Sequence, residues 1–130
     1  MGLDNGFVVR GVTRNQLPRG IRFPSTNDYI QNEVEVAYFR RYWGFRNTYL
    51  SMISSEIYPE QYEFELTRDQ VKDAINCLDY FLKNNPHDAD NGYWEDSTVK
   101  HIKVQKHNLI LLWRWMKHHP NYTVTFYDSY

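Results

Sequence analysis

The sequence predicts an α+β domain in which three helices pack on a small, mostly antiparallel, three-stranded sheet, in the order β-α-β-α-α-β. Three short segments are rich in β-branched or aromatic residues and end at turn-forming residues, which is typical of strands. Three longer segments repeat apolar residues at helical spacing. A length of 130 residues suits one domain, residues 1–130, and the aromatic fraction of 17% predicts a core built largely from rings.

The three strands are expected at the beginning, middle and end of the chain. Residues 5–13 are β-branched and bounded by glycine, residues 62–66 alternate between polar and apolar side chains, and residues 122–127 close the chain. Residues 14–28 contain Pro18, Gly20 and Pro24 and therefore predict a loop.

Two of the helices have clear start and stop signals. Thr67 and Gln70 have the spacing of a capping box, which predicts a second helix that ends before Pro86. An acidic loop is expected from residue 84 to 96. A third helix follows, from about residue 97 to His118, and Pro120 ends it.

The first helix is predicted over residues 33–54. On a helical wheel, Val36, Phe39 and Trp43 share one side with other apolar residues, which together cover more than half of the circumference. Glu35 and Arg46 both fall inside this apolar arc. In one continuous helix they lie about 16 Å apart along the axis, which is too far for them to pair with each other.

Two interpretations of these charges stay open at this point. Arg46 could extend its charged end to the rim, with Glu35 favoured by the helix dipole. Alternatively, Glu35, Tyr38, Tyr42 and Arg46 could form a polar pocket that holds a ligand or a side chain of a partner protein, because buried charges often mark functional sites.

The third helix carries a basic stripe. Residues 97–119 contain five Lys or Arg and no acidic residue, so with a total of −1 the rest of the chain carries −6. Lys100, Lys103, His107 and Arg114 fall on one side of the wheel. Such a stripe could follow nucleic-acid phosphates or contact an acidic protein, or it could be an ordinary solvated face. A pI near 6.5 argues against a dedicated nucleic-acid binder.

No motif points to a catalytic, cofactor or metal site. The sequence lacks a nucleophile elbow, a phosphate loop and a dinucleotide fingerprint. The histidines have no zinc-site spacing, and residues 87–96 match a calcium loop poorly. We therefore expect no cofactor and no metal, and the sequence does not positively support an enzyme. No signal peptide or membrane span is evident, so a cytoplasmic location is the expectation.

Two segments resemble a group of small bacterial and phage proteins. These proteins begin with Met-Gly-Leu-Asp and carry a central Glu-Val-x-Tyr-Trp-Arg-Lys segment, which this chain matches at residues 1–4 and 35–41, with Phe39 and Arg41 in place of Trp and Lys. The group has no established activity, so the resemblance assigns no catalytic residue. It implies a phage or prophage accessory protein, and it directs attention to Asp4, Arg40 and Asn47 in addition to the pocket residues.

Three functional hypotheses follow. The first is a non-enzymatic accessory protein that binds a host or phage protein through Glu35, Tyr38, Arg40, Tyr42, Arg46 and Asn47. The second is binding of nucleic acid or a nucleotide through Lys100, Lys103, His107 and Arg114. The third and weakest is a small hydrolase or transferase that uses Glu35, Tyr38 and a histidine, which requires these groups to lie within hydrogen-bond reach.

Overall fold

The structure, a computed structural model, describes residues 4–24, 32–54, 62–84 and 95–129, the last range with side chains from residue 99 onward. It contains three α-helices and an antiparallel sheet, as the sequence predicted. The elements are β1 (Asp4–Arg10), a 3-10 turn (Arg14–Gln16), β2 (Glu33–Arg40), α1 (Trp43–Ile53), β3 (Glu63–Leu66), α2 (Arg68–Asn84), α3 (Glu95–Met116) and β4 (Thr123–Ser129).

The sheet has four strands in the order β2-β1-β4-β3, and every pairing is antiparallel. The prediction of three strands was therefore wrong. The additional strand is β2, which occupies the first eight residues of the predicted first helix. The helix itself begins only at Trp43, after Arg41 adopts the left-handed backbone conformation (φ 57°). The observed order is thus β-β-α-β-α-α-β.

A β-bulge explains why β2 was mistaken for a helix. Phe7 pairs with Ala37, whereas the next residue, Val8, pairs with Glu35, so Val36 is an extra residue on β2. Val36 and Ala37 are both fully buried. The inward and outward positions therefore alternate on each side of the bulge but change phase at it. This break in the two-residue period leaves a run whose apolar residues also satisfy helical spacing.

The second and third helices lie close to their predicted positions. The capping box of α2 is present: the Gln70 amide N–H donates to Thr67 Oγ1 (3.2 Å), and Gln70 Oε1 accepts from the Thr67 amide N–H (2.9 Å). The predicted acidic loop between residues 84 and 96 lies almost wholly outside the described residues. No helix in the described part of the chain is long and apolar enough to cross a membrane.

Aromatic rings form the centre of the core, as their abundance predicted. Phe7 and Phe126 pair across β1 and β4, with ring centroids 5.0 Å apart. Tyr49 of α1 contacts Phe126 edge-on at 5.1 Å and stacks on Phe45 at 5.4 Å. The Tyr49 hydroxyl donates to the Gln70 carbonyl at the start of α2 (2.7 Å). The same rings therefore join the sheet, α1 and α2.

Polar side chains of α3 cover the outer edge of β2. Gln105 Oε1 accepts from the Tyr38 amide (2.9 Å), and Asn108 Nδ2 donates to the Val36 carbonyl (2.9 Å). His101 is hydrogen-bonded to the Tyr38 carbonyl. These side chains satisfy backbone groups that an edge strand would otherwise expose, so they protect this edge against pairing with another chain. They also fix the rotation of α3 about its axis.

Candidate functional site

The sheet separates the six residues of the expected partner site into two groups. Glu35, Tyr38 and Arg40 belong to the outer face, which we define as the side of the sheet that carries Asp4, Gly6, Val8 and Arg10 of β1. Tyr42, Arg46 and Asn47 lie on the other side, at the start of α1. The single pocket formed by Glu35, Tyr38, Tyr42 and Arg46 depended on one continuous helix, and that premise was wrong.

Arg46 is held in a fully buried polar cluster. Its exposed fraction is 0%, and that of the Asp128 side chain is 1%. Arg46 Nη2 lies 2.8 Å from Asp128 Oδ2, and Nε donates to the same carboxylate at 3.1 and 3.2 Å. Nη1 donates to Asn47 Oδ1 (2.9 Å), and Asn5 Nδ2 donates to Asp128 Oδ1 (2.6 Å). The cluster therefore joins α1 to β1 and β4 through charge-assisted hydrogen bonds.

This arrangement describes a structural clamp rather than a binding pocket. The Arg46 guanidinium lies beside the Trp43 ring at 5.7 Å. Tyr42 is also buried, with its ring against Phe39, Phe45 and Phe81. A ligand could reach these side chains only if α1 moved away from the sheet. The structure agrees with neither interpretation of Arg46 that the sequence left open, because its charged end neither reaches the rim nor lines a pocket.

Two tyrosine–carboxylate pairs lie side by side on the outer face. The Tyr127 hydroxyl donates to Glu35 Oε2, and the Tyr38 hydroxyl donates to Asp4 Oδ1. Gly6 lies between the two tyrosines in the sheet register. A Cβ atom at Gly6 would be 2.5 Å from both Glu35 Oε2 and Tyr127 Cε1. Only glycine leaves room for the Tyr127 ring to cross β1 and reach Glu35.

The charges of the outer face are largely paired with one another. Arg10 bridges Glu33 (2.8 Å) and Glu63 (2.9 Å). The pKa of Tyr127 is raised above its ordinary value by burial and then by the hydrogen bond to Glu35. The pKa of Tyr38 is raised by burial and then by the hydrogen bond to Asp4. Both phenols therefore stay protonated at neutral pH and act as hydrogen-bond donors. Arg40 is exposed at the end of β2.

The basic stripe is exposed along one side of α3. Lys100, Lys103, His107 and Arg114 are all exposed, while Ile102, Leu109 and Leu112 on the opposite side are buried. The stripe extends from Lys100 to Arg114 on one helix, which corresponds to about 21 Å at the usual helical rise. Helix α3 packs against α2 and β2, so these side chains project from a supported surface.

The cations of the stripe differ from others on the same helix. Lys106, which lies toward α2, forms an ion pair with Asp79 (2.7 Å). Within the described ranges, the side chains of Lys100, Lys103, His107 and Arg114 form no hydrogen bond or ion pair. The positive charges of the two lysines and of Arg114 are therefore available to an external anion.

Sequence reasoning missed the partners of the candidate residues. Asp128 and Asn5 complete the Arg46 cluster, and Tyr127 completes the Glu35 pair. A signal for Asp128 was present, because it follows Val124 and Phe126 at a spacing of two and so shares their inward side of β4. Nothing local distinguishes Asn5, whose role depends on the pairing of the first and last strands.

The described residues give no support to the hydrolase hypothesis. His101 contacts the backbone carbonyl of Tyr38 rather than a carboxylate, and His119 contacts the Trp115 carbonyl. No cluster of three or more His, Cys, Asp or Glu that could hold a metal occurs within the ranges that the structure covers.

Comparisons with protein-family models, with curated proteins and with solved structures find no match to this chain.

Proposed function

We propose that this chain is a non-enzymatic binding protein whose basic stripe contacts the phosphate backbone of nucleic acid. The observation that carries the proposal is the row of four exposed basic side chains on α3 that have no partner among the described residues. Cations spaced one or two turns apart along a rigid helix match a ligand that repeats its negative charge at regular intervals. Neutralising phosphates releases condensed counterions, which supplies the affinity of sequence-independent binding.

The surroundings of the stripe favour nucleic acid over an acidic protein. Protein interfaces usually centre on an apolar or aromatic anchor. The large hydrophobic side chains that are exposed in the described residues are Met52, Tyr62 and Tyr80, and none of them belongs to α3. Phosphate contacts need only cations and hydrogen-bond donors. The total charge is near neutral, but acidic and basic side chains lie on different surfaces: paired acidic side chains lie on the outer face of the sheet, and the basic stripe lies on α3.

The test is the salt dependence of binding to a labelled DNA duplex of about 20 base pairs, measured by fluorescence anisotropy. The logarithm of the affinity should fall as the logarithm of salt concentration rises, and the two lysines and one arginine of the stripe should together contribute about −3 to this slope. Lys103→Glu combined with Arg114→Glu should reduce this slope by about 2 and weaken binding to every sequence alike.

A matched control has the same net charge as the α3 double variant. Arg40→Glu combined with Lys83→Glu changes the charge by the same amount, but neither residue lies on α3. This control should bind like the wild type. Absence of binding to both duplex and single-stranded DNA, or binding that is insensitive to salt and to the α3 reversal, would overturn the proposal.

Binding to a host or phage protein is the second candidate, as an accessory protein acting in the cytoplasm. It rests on the outer face, where Glu35, Tyr38 and Arg40 occupy the same side of β2 and Arg40 is exposed. A tagged pull-down from host lysate after nuclease treatment tests it. A stoichiometric protein that is lost with Arg40→Glu but kept with Lys103→Glu would support this candidate. A protein captured equally by both variants would place its site elsewhere.

A further inference from the structure

The loop after the 3-10 turn is fixed along α3. Trp115 Nε1 donates to the Gln16 carbonyl (3.1 Å). Seven residues earlier on α3, the Asn108 side chain accepts from the Arg22 amide (2.9 Å) and donates to the Arg22 carbonyl (2.8 Å). Leu17 and Ile21 between these anchors are buried. Residues 16–22 therefore run beside α3 for about two helical turns.

The middle of this loop lies next to the basic stripe. A Cβ atom at Gly20 would be 3.4 Å from Leu111 Cδ1 and 4.0 Å from His107 Nε2. Gly20 has a φ of 97°, a conformation that glycine adopts readily and other residues rarely do. The backbone therefore turns beside His107, and Arg19 and Arg22 lie on either side of this turn.

Arg19 and Arg22 are exposed, and neither side chain forms a hydrogen bond or ion pair within the described ranges. We infer that these two arginines form a second cationic row beside the stripe, and that the combined surface binds double-stranded nucleic acid. This inference rests on the proposed function and names its substrate class. Arg19 and Arg22 lie about 80 residues before α3 in sequence, which is why helical spacing could not associate them with it.

Two adjacent rows of cations fit a duplex because a duplex presents two phosphate backbones on either side of a groove. Arginine also binds a phosphate through two parallel hydrogen bonds, which fixes the position of a backbone. Single-strand binders instead combine a charged groove with aromatic rings on which bases stack. Tyr62 and Tyr80 are the exposed rings among the described residues. Tyr62 precedes β3 and Tyr80 belongs to α2, so neither is part of the loop or of α3.

The experiment compares Arg19→Glu/Arg22→Glu with the wild type on two probes, a mixed-sequence DNA duplex and one of its strands, each about 20 nucleotides long. We expect the double variant to bind the duplex at least tenfold more weakly. The slope of the logarithm of affinity against the logarithm of salt concentration should become shallower by about 2. The wild type should prefer the duplex. Both arginines are exposed, and circular dichroism verifies that the variant is folded.

The outcomes separate the two proposals. If the wild type binds duplex through α3 but Arg19→Glu/Arg22→Glu binds equally well, the second row is wrong and the proposed function stands. Tighter binding of the single strand than of the duplex would also overturn this inference. If the wild type binds neither probe, the proposed function itself fails. Arg40→Glu/Lys83→Glu again controls for net charge.

Discussion

Each face of the sheet carries a carboxylate that accepts hydrogen bonds from a partner side chain, but the two pairs differ in burial. Tyr127 and Asp128 are neighbours on β4, yet their side chains lie on opposite faces. Asp128 is sealed under α1 with Arg46, whereas Tyr127 lies half-buried on the outer face with Glu35. The buried pair has lost its hydration completely, so breaking it leaves a charge without compensation. The outer pair is only half-buried and joins a neutral phenol to a carboxylate, so its loss should lower the stability less.

The largest effect is therefore expected from Arg46→Ala. Removing the guanidinium leaves the Asp128 carboxylate buried, and the free energy of unfolding should fall by about 3–5 kcal/mol. Urea denaturation monitored by tryptophan fluorescence measures it. Thr48→Ala, at an exposed position of the same helix, is the control and should change little.

A second variant tests the cause of this loss. Arg46→Met combined with Asp128→Leu removes both charges and should recover much of the stability, because apolar residues of similar volume can replace a buried ion pair. A loss of less than about 1 kcal/mol for Arg46→Ala, the range of surface pairs, would remove the difference between the two faces.

An intermediate effect is expected from Gly6→Ala on the outer face. The new Cβ would overlap with Tyr127 and Glu35, and overpacking of this kind lowers stability by about 1–3 kcal/mol. In a double-mutant cycle, Tyr127→Ala should relieve the overlap, so the two substitutions should be less than additive. Strict additivity would show that the Tyr127 ring does not lie over Gly6.

Tyr127→Phe should have a smaller effect at neutral pH, about 1 kcal/mol for the hydrogen bond to Glu35. It should also change how the free energy of unfolding depends on pH in the alkaline range. The pKa of Tyr127 is raised in the folded state, so the folded protein retains a proton that the unfolded chain releases above about pH 10. Stability should therefore fall with rising pH in this range, and less steeply in Tyr127→Phe. Equal slopes from urea denaturation at several pH values would contradict the assignment.

The smallest effect is expected for Asp79→Asn. Asp79 pairs with Lys106 (2.7 Å) and Lys83 (2.9 Å) at the surface, and hydrogen bonds from these lysines lower its pKa. This is the same chemistry as the Arg46–Asp128 pair without its burial. Thermal unfolding should show a much smaller decrease in Tm than Arg46→Ala. A comparable decrease would mean that charge pairing, rather than burial, sets the difference.

Elements whose signals are local were predicted well from the sequence. The capping box at Thr67 placed the start of α2, and the basic stripe was correctly located on one exposed side of α3. Residues 33–40 were misassigned because the bulge at Val36 interrupts their alternation. The residues of the expected partner site are divided as a result, since Glu35 and Arg46 lie on opposite sides of the sheet.

The sequence by itself determined the α+β class, the aromatic core and the amphipathic α3, because these depend on composition and on periods of a few residues. Only the tertiary structure decided the fourth strand, the partners of Arg46 and the placement of Arg19 and Arg22 beside α3. Each of these depends on contacts between residues that are far apart in the chain. Burial, bulges and strand pairing set such contacts, and no local pattern records them.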